Sequence, residues 1–124
     1  MKVDSKIPPR EYRVGRDQAI CIKDCAHIEL GDDEQITLTT QSGTEFDILR
    51  KSWGYFATPS LNGRLLDFRL HAVMIRSPQE KFYLVLVEEA KRQEFLDYIA
   101  FENLEVAAWM DSNPSLEKLK DPSR

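Results

Sequence analysis

The chain has 124 residues, 42% of them hydrophobic and 31% charged, which fits one compact domain and excludes most multidomain enzymes. With 17 Lys and Arg against 21 Asp and Glu, the net charge of −4 argues against a protein that wraps nucleic acid or another polyanion. No apolar run approaches the roughly 18 residues of a membrane span, and the opening MKVDSKIPPR lacks a secretion signal's apolar core, so no membrane partner is expected and the expected address is the cytoplasm.

Residues 1–18 carry Pro8-Pro9 and five charges between Arg10 and Asp17 with neither a strand nor a helix period, which predicts a flexible N-terminal arm. The globular domain is expected over 19–111. Its first strand, AICIK, contains Cys21, and Cys25 and His27 follow in a C-x3-C-x-H string. Two cysteines are too few for a disulfide framework, and along one straight strand they stand about 13 Å apart, too far to share a zinc ion. Two packed thiols and no metal are expected. Asp32-Asp33-Glu34 lacks the spaced oxygen ligands of a calcium loop and reads as a solvated turn.

QITLTT (35–40) and TEFDIL (44–49) flank Ser42-Gly43, a tight bend, and form a hairpin in which Phe46 and Ile48 alternate with Glu45 and Asp47. Asn62-Gly63 tolerates the positive φ of a two-residue hairpin, so the chain is expected to reverse there into a long strand over 65–76. On that strand Leu66, Phe68, Leu70, Ala72 and Met74 fall on one side, and Asp67, Arg69 and His71 on the other. FYLVLV (82–87) is apolar on both faces and reads as a buried central strand. A helix over 88–103 follows, with Phe95, Leu96 and Ile99 on its inner stripe, and Phe101 off that stripe meets the last strand or a second subunit. Leu104, Val106, Ala108 and Met110 mark that final strand. Residues 112–124 read as a flexible C-terminal tail in which Leu116 and Leu119 allow one helical turn. The expected fold is α+β: a curved or barrel-like, mostly antiparallel β-sheet with one C-terminal helix, in which strand–helix–strand order allows a βαβ crossover.

Charge is distributed unevenly. Residues 1–47 hold 6 basic and 10 acidic side chains, 48–81 hold 6 and 2, and 82–124 hold 5 and 9. Arg50, Lys51, Arg64, Arg69 and Arg76 therefore either present an anion with a local positive surface or pair with acids from the flanking segments. Within this basic centre Trp53, Tyr55 and Phe56 gather around Gly54, ahead of the loop Thr58-Pro59-Ser60-Leu61-Asn62-Gly63-Arg64. Aromatic faces beside Asn, Ser and Arg donors suit a sugar or an anionic ring; packed into a core, the same rings would serve only stability. Trp53, Tyr55, Asn62, Arg64 and Arg69 are the candidate ligand contacts.

The run WGYFATPSLNGRL from Trp53, with the preceding Asp47 to Ser52, resembles a segment of a family of small uncharacterised bacterial proteins linked with surface-sugar biosynthesis. The resemblance covers about a third of the expected globular part. It implies a sugar-like ligand and assigns no catalytic residue.

Asp67, Arg69 and His71 would line one face of a regular strand at roughly 6.5–7 Å spacing. An acid, a permanent cation and an imidazole in a row offer acid–base chemistry, with His71 as proton shuttle and Asp67 as its partner; the same row also serves as ordinary cross-strand pairing. No phosphate-binding glycine loop, dinucleotide fingerprint or metalloprotease helix is present, so no cofactor is expected. Three readings follow. The first is a small binding or accessory module that engages an anionic or sugar-like ligand, or a partner protein, through the aromatic loop and the central basic residues. The second is a cofactor-free enzyme of sugar metabolism using His71 and Asp67. The third is a structural protein-interaction domain, with another protein or a second copy of the chain as partner.

Overall fold

Residues 1–120 are described by a computed structural model, in which eight strands form three separate antiparallel sheets joined by short helices. Among the described residues there is no closed barrel. The α+β, strand-rich class stands; the single curved or barrel-like sheet does not.

The segment expected as an arm is strand β1 (Lys2–Val14), paired along its length with β2 (Ile20–Glu29) in a two-stranded ribbon. Pro8 and Pro9 hid it, since proline donates nothing to a ladder. Here they occupy a bulge in which residues 6–9 stand opposite Cys25 alone. Asp24 binds the bulge together, 3.1 Å from Lys6 Nζ, 3.3 Å from Arg10 Nε and 3.6 Å from His27 Nε2. The Lys6 hydrogen bond, ahead of partial burial, which opposes it, holds the Asp24 carboxyl below its ordinary range. Cys21 and Cys25 point outward with Lys23 and His27 and are exposed, not packed as expected.

The ribbon is tied at both ends. The amino terminus lies 3.1 Å from Glu34, whose other contact, the Gly31 N–H, also lowers the Glu34 carboxyl. At the far end the Arg16 N–H donates to Glu102 at 2.7 Å, and the Arg16 guanidinium covers the Phe101 ring at 5.3 Å. Within the chain Phe101 thus meets the ribbon turn and not the last strand.

β3 (Gln35–Thr39) and β4 (Glu45–Lys51) form the hairpin expected from the alternation, with Thr37 opposite Asp47 and Leu38 opposite Phe46. Gly43 makes its turn at φ +90°, a backbone that side-chain-bearing residues avoid. β5 (Gly54–Phe56) adds to β4 as a short edge strand.

The turn at 60–63 does reverse the chain, but not as a two-residue hairpin. Gly63 has φ −136°, and a Cβ there would stand 2.6 Å from Ser60 Oγ, so close approach, rather than positive φ, is what requires glycine. Ser60 accepts from the Arg64 and Leu65 N–H groups and starts helix α1 (Arg64–Asp67) where a strand was expected. Arg69, at φ +62°, ends that turn, and only then does β6 (Leu70–Arg76) begin.

β6 is the centre of the third sheet, order β7-β6-β8, between β7 (Phe82–Glu88) and β8 (Glu105–Trp109). Both neighbours run antiparallel to it, so β7 and β8 are parallel to each other and helix α2 (Arg92–Phe101) carries the chain from one to the other across β6. The crossover exists, with an antiparallel strand inserted into it. β6 therefore takes the buried central place that the apolar run 82–87 was expected to hold. Its two faces face different layers: Val73 and Ile75 pack with Val87, Phe95 and Trp109, while Leu70 and Ala72 pack with Leu65, Phe46 and Leu61. On α2 Ile99 is buried, whereas Leu96 is 36% exposed. The expected tail contains helix α3 (Asn113–Lys120); residues 121–124 of that tail lie outside the described part. Among the described residues no helix is long and apolar enough to cross a membrane.

Candidate functional site

The β4–β5 hairpin determines where the aromatic residues point. Lys51 pairs with Gly54, so Ser52 and Trp53 form the tight connection and Tyr55 and Phe56 continue along a sheet edge. All three rings are open to solvent: Trp53 is 67%, Tyr55 60% and Phe56 53% exposed. Trp53 meets Phe56 edge to face, with ring centroids 5.5 Å apart. Arg50 reaches back from β4, donating to the Lys51 and Gly54 carbonyls while its guanidinium lies 5.3 Å from the Tyr55 ring centre. This fixes the Tyr55 ring from one side and leaves the aromatic surface facing water.

Beside Phe56 the loop 57–63 closes over β4 and leaves a hollow of about 250 Å³, lined by Gln35, Asp47, Leu49, Phe56, Thr58, Pro59, Ser60 and Arg64. Asp47, expected on the wet side of its strand, is buried. It accepts the Thr37 hydroxyl at 2.6 Å and pairs with Arg64 at 3.2 Å, and Arg64 in turn stacks 5.1 Å from Phe68. Thr58 Oγ1 is buried beneath the loop without a hydrogen-bond partner.

Of the expected contacts, Trp53 and Tyr55 share the aromatic patch and Arg64 stands at the adjoining hollow. Asn62 does not join them: its amide donates to Asn113 Oδ1 at 2.7 Å and holds the start of α3. Arg69 is also elsewhere, donating to the Ser42 carbonyl at 3.1 Å beside a separate hollow of about 210 Å³. There Ser42 donates to Glu88, and this hydrogen bond, opposed by partial burial and aided by Lys91, lowers the Glu88 carboxyl. The basic centre is largely spoken for. Lys51 pairs with Asp33, Arg64 with Asp47, and Arg76 with Glu80 and Glu105.

The row of Asp67, Arg69 and His71 is not formed, because Asp67 belongs to α1 and Arg69 to the bend that follows it. His71 has other carboxylates: Asp111 at 2.8 Å from Nδ1 and Glu89 at 3.2 Å from Nε2. With His71 and Asp111 each only 20% exposed and the adjacent hollow near 90 Å³, there is room for a water or two and none for a sugar. The sequence reading missed Asp47, Glu89 and Asp111. Only Asp47 left a trace, in its place opposite Thr37 once the hairpin register is drawn. Comparison with protein-family models, curated proteins and solved structures finds no match to this chain.

Proposed function

We propose that this protein is a small binding or accessory module whose working surface is the turn and edge strand carrying Trp53, Tyr55 and Phe56, and whose occupant is a partner protein. The observation that carries the reading is three contiguous aromatic rings held in water by a short, rigid hairpin. Leaving such area exposed in a soluble fold is costly, and Trp, Tyr and Arg are the residues on which protein contacts concentrate their energy. The state of the cations supports a protein in preference to a free anion: Arg50, Lys51, Arg64, Arg69 and Arg76 already face carboxylates or carbonyls, so a bare phosphate finds no unoccupied clamp among these five.

A second reading places a sugar-like or anionic group in the hollow between Phe56, Asp47 and Arg64, an aromatic wall with an acceptor and a donor across from it. Its volume admits nothing much larger than one ring.

Affinity capture with wild-type protein and with a Trp53→Ser, Tyr55→Ser variant distinguishes the two readings when combined with a thermal-shift screen of nucleotide sugars, sugar phosphates and simple anions. The partner reading expects a protein retained by the wild type and lost by the variant, with both chains melting together. A small molecule that stabilises the wild type by roughly 2.7 kcal/mol at a hundred times its dissociation constant, and fails to do so for Arg64→Ala, would replace it with the second.

A further inference from the structure

We infer that the free edge of β7 pairs with the β7 edge of a second copy, joining two three-stranded sheets into one six-stranded sheet across a two-fold axis. The chain exposes 9002 Å² of accessible surface, whereas a compact monomer of 14.4 kDa exposes about 6,800 Å². Part of the excess lies along the β1–β2 ribbon. Away from the ribbon, apolar surface concentrates at three places, the aromatic patch already described, the exposed Leu96, Tyr98 and Phe101 of α2, and β7, where Phe82 is 58%, Tyr83 53% and Leu84 46% exposed. A stable dimer needs about 800 Å² from each partner, well within the excess.

The form of β7 selects its occupant. Among the described residues it pairs with β6 alone, so one full side of its backbone N–H and C=O groups has no strand beside it. Monomeric proteins protect such edges with a lysine, a proline, a bulge or a covering loop, and residues 82–87 carry no charge, proline or glycine. The side chains of Phe82–Leu84 are open on both faces of the sheet, and along one face runs a groove of about 820 Å³ between Tyr83, Val85, Tyr98 and the ribbon turn at Val14–Arg16.

Antiparallel pairing about Val85 engages the whole strand. Val85 meets its own copy once, on the axis, while Leu84 meets Leu86, Tyr83 meets Val87 and Phe82 meets Glu88, each of these pairs occurring twice. One step beyond the strand, Lys81 falls opposite Glu89. Lys81 has no carboxylate within ion-pair distance among the described residues of its own chain, and at each end the register brings it opposite Glu89, which also lies 3.2 Å from His71 Nε2. Shifting the axis by one residue to Leu84 would instead set Glu80 against Glu88 at both ends. The axis stands perpendicular to the sheet, which leaves both copies of α2 on one face and both copies of α1 on the other.

Sedimentation of the full chain, with circular dichroism to check folding, tests this inference independently of the β5 surface. The expected result is a wild-type dimer in the micromolar range, a monomeric Leu84→Lys variant, and a roughly tenfold weaker dimer for either Lys81→Glu or Glu89→Lys, with the affinity restored when the two exchanges are combined. Should Leu84→Lys fail to fold, the exposed Lys81 and Glu89 exchanges decide alone. A wild-type monomer throughout that range overturns the inference. So does a dimer indifferent to all three substitutions, or one dissociated by Trp53→Ser.

Discussion

The β1–β2 ribbon and the sheet centred on β6 are both antiparallel, yet they hold together by different means. No residue of the ribbon is buried; on β6, Leu70, Ala72, Val73 and Ile75 all are. A two-stranded ribbon alone is marginal in water, so this one depends on its tethers, the amino terminus on Glu34 and Arg16 on Glu102, and on the charges gathered at Asp24. The β6 sheet depends on apolar area removed from water between two layers. Identical ladder geometry thus tells little about what a strand contributes; what covers its faces tells more.

The largest perturbation is expected on the β6 side. Leu65 is fully buried against Leu70 and Ala72, and Leu65→Ala should cost about 3 kcal/mol in urea unfolding, through lost burial and the cavity left behind. A cost below about 1 kcal/mol would mean that the layer between α1 and β6 is loosely packed, and the contrast with the ribbon would fade.

Asp47→Ala lies between the two regimes, because it removes a buried carboxylate that joins Thr37 of β3 to Arg64 of α1. Leaving the Thr37 hydroxyl unpaired and Arg64 without its acid should cost about 2 kcal/mol, measured in the same way. Recovery of most of that loss in Asp47→Asn would identify the hydrogen bonds, rather than the charge, as the stabilising part.

The smallest global effect belongs to the ribbon and is sensitive to pH. Because the folded Asp24 carboxyl titrates below the unfolded value of about 3.9, its contribution is complete above that value and is lost as the pH falls through the folded one. Hydrogen exchange at β1 and β2 amides, corrected for intrinsic rates, should therefore lose protection below about pH 4 while β6 amides keep theirs, and Asp24→Asn should remove the part of that pH dependence that arises around Asp24, leaving only the part carried by Glu34 at the amino terminus. Loss of protection in both regions together would make the ribbon part of one cooperative unit with the β6 sheet.

Much of the fold was legible wherever local chemistry decided it. The β3–β4 hairpin follows from its two-residue alternation and the Ser42-Gly43 bend, and β8 from Leu104 to Met110. The stretch 65–69 was not legible, because Leu66, Phe68 and Leu70 alternate as a strand would. A four-residue helix is too short to impress its own period; Ser60 starts it through the Arg64 and Leu65 N–H groups, and the Arg69 N–H closes it on the Leu66 carbonyl. Strand β7 was misplaced for a different reason. An apolar run marks a strand without marking whether it stands at the centre or at the edge of its sheet. β1 was hidden by two prolines whose bulge becomes visible only when β2 is set beside it.

The candidate site was readable in part. Trp53 and Tyr55 gather because they are neighbours in sequence around one turn, and Arg64 reaches the adjoining hollow through the loop that follows. Asn62 and Arg69, equally close in sequence, are drawn off by Asn113 and by the Ser42 carbonyl. The carboxylates at His71 stand 40 and 18 residues away along the chain, and no local pattern announces them.

The insertion of β6 between the two strands that α2 connects has a consequence for synthesis. As the polypeptide leaves the ribosome, the β6–β7 hairpin can close early, but the far side of Val73 and Ile75 stays bare until Trp109 has emerged. During that interval one open border is β6 itself, the most buried strand of the finished sheet, which β8 later covers. A chain cut after Asn103, before β8, should therefore aggregate more readily than one carried through Trp109.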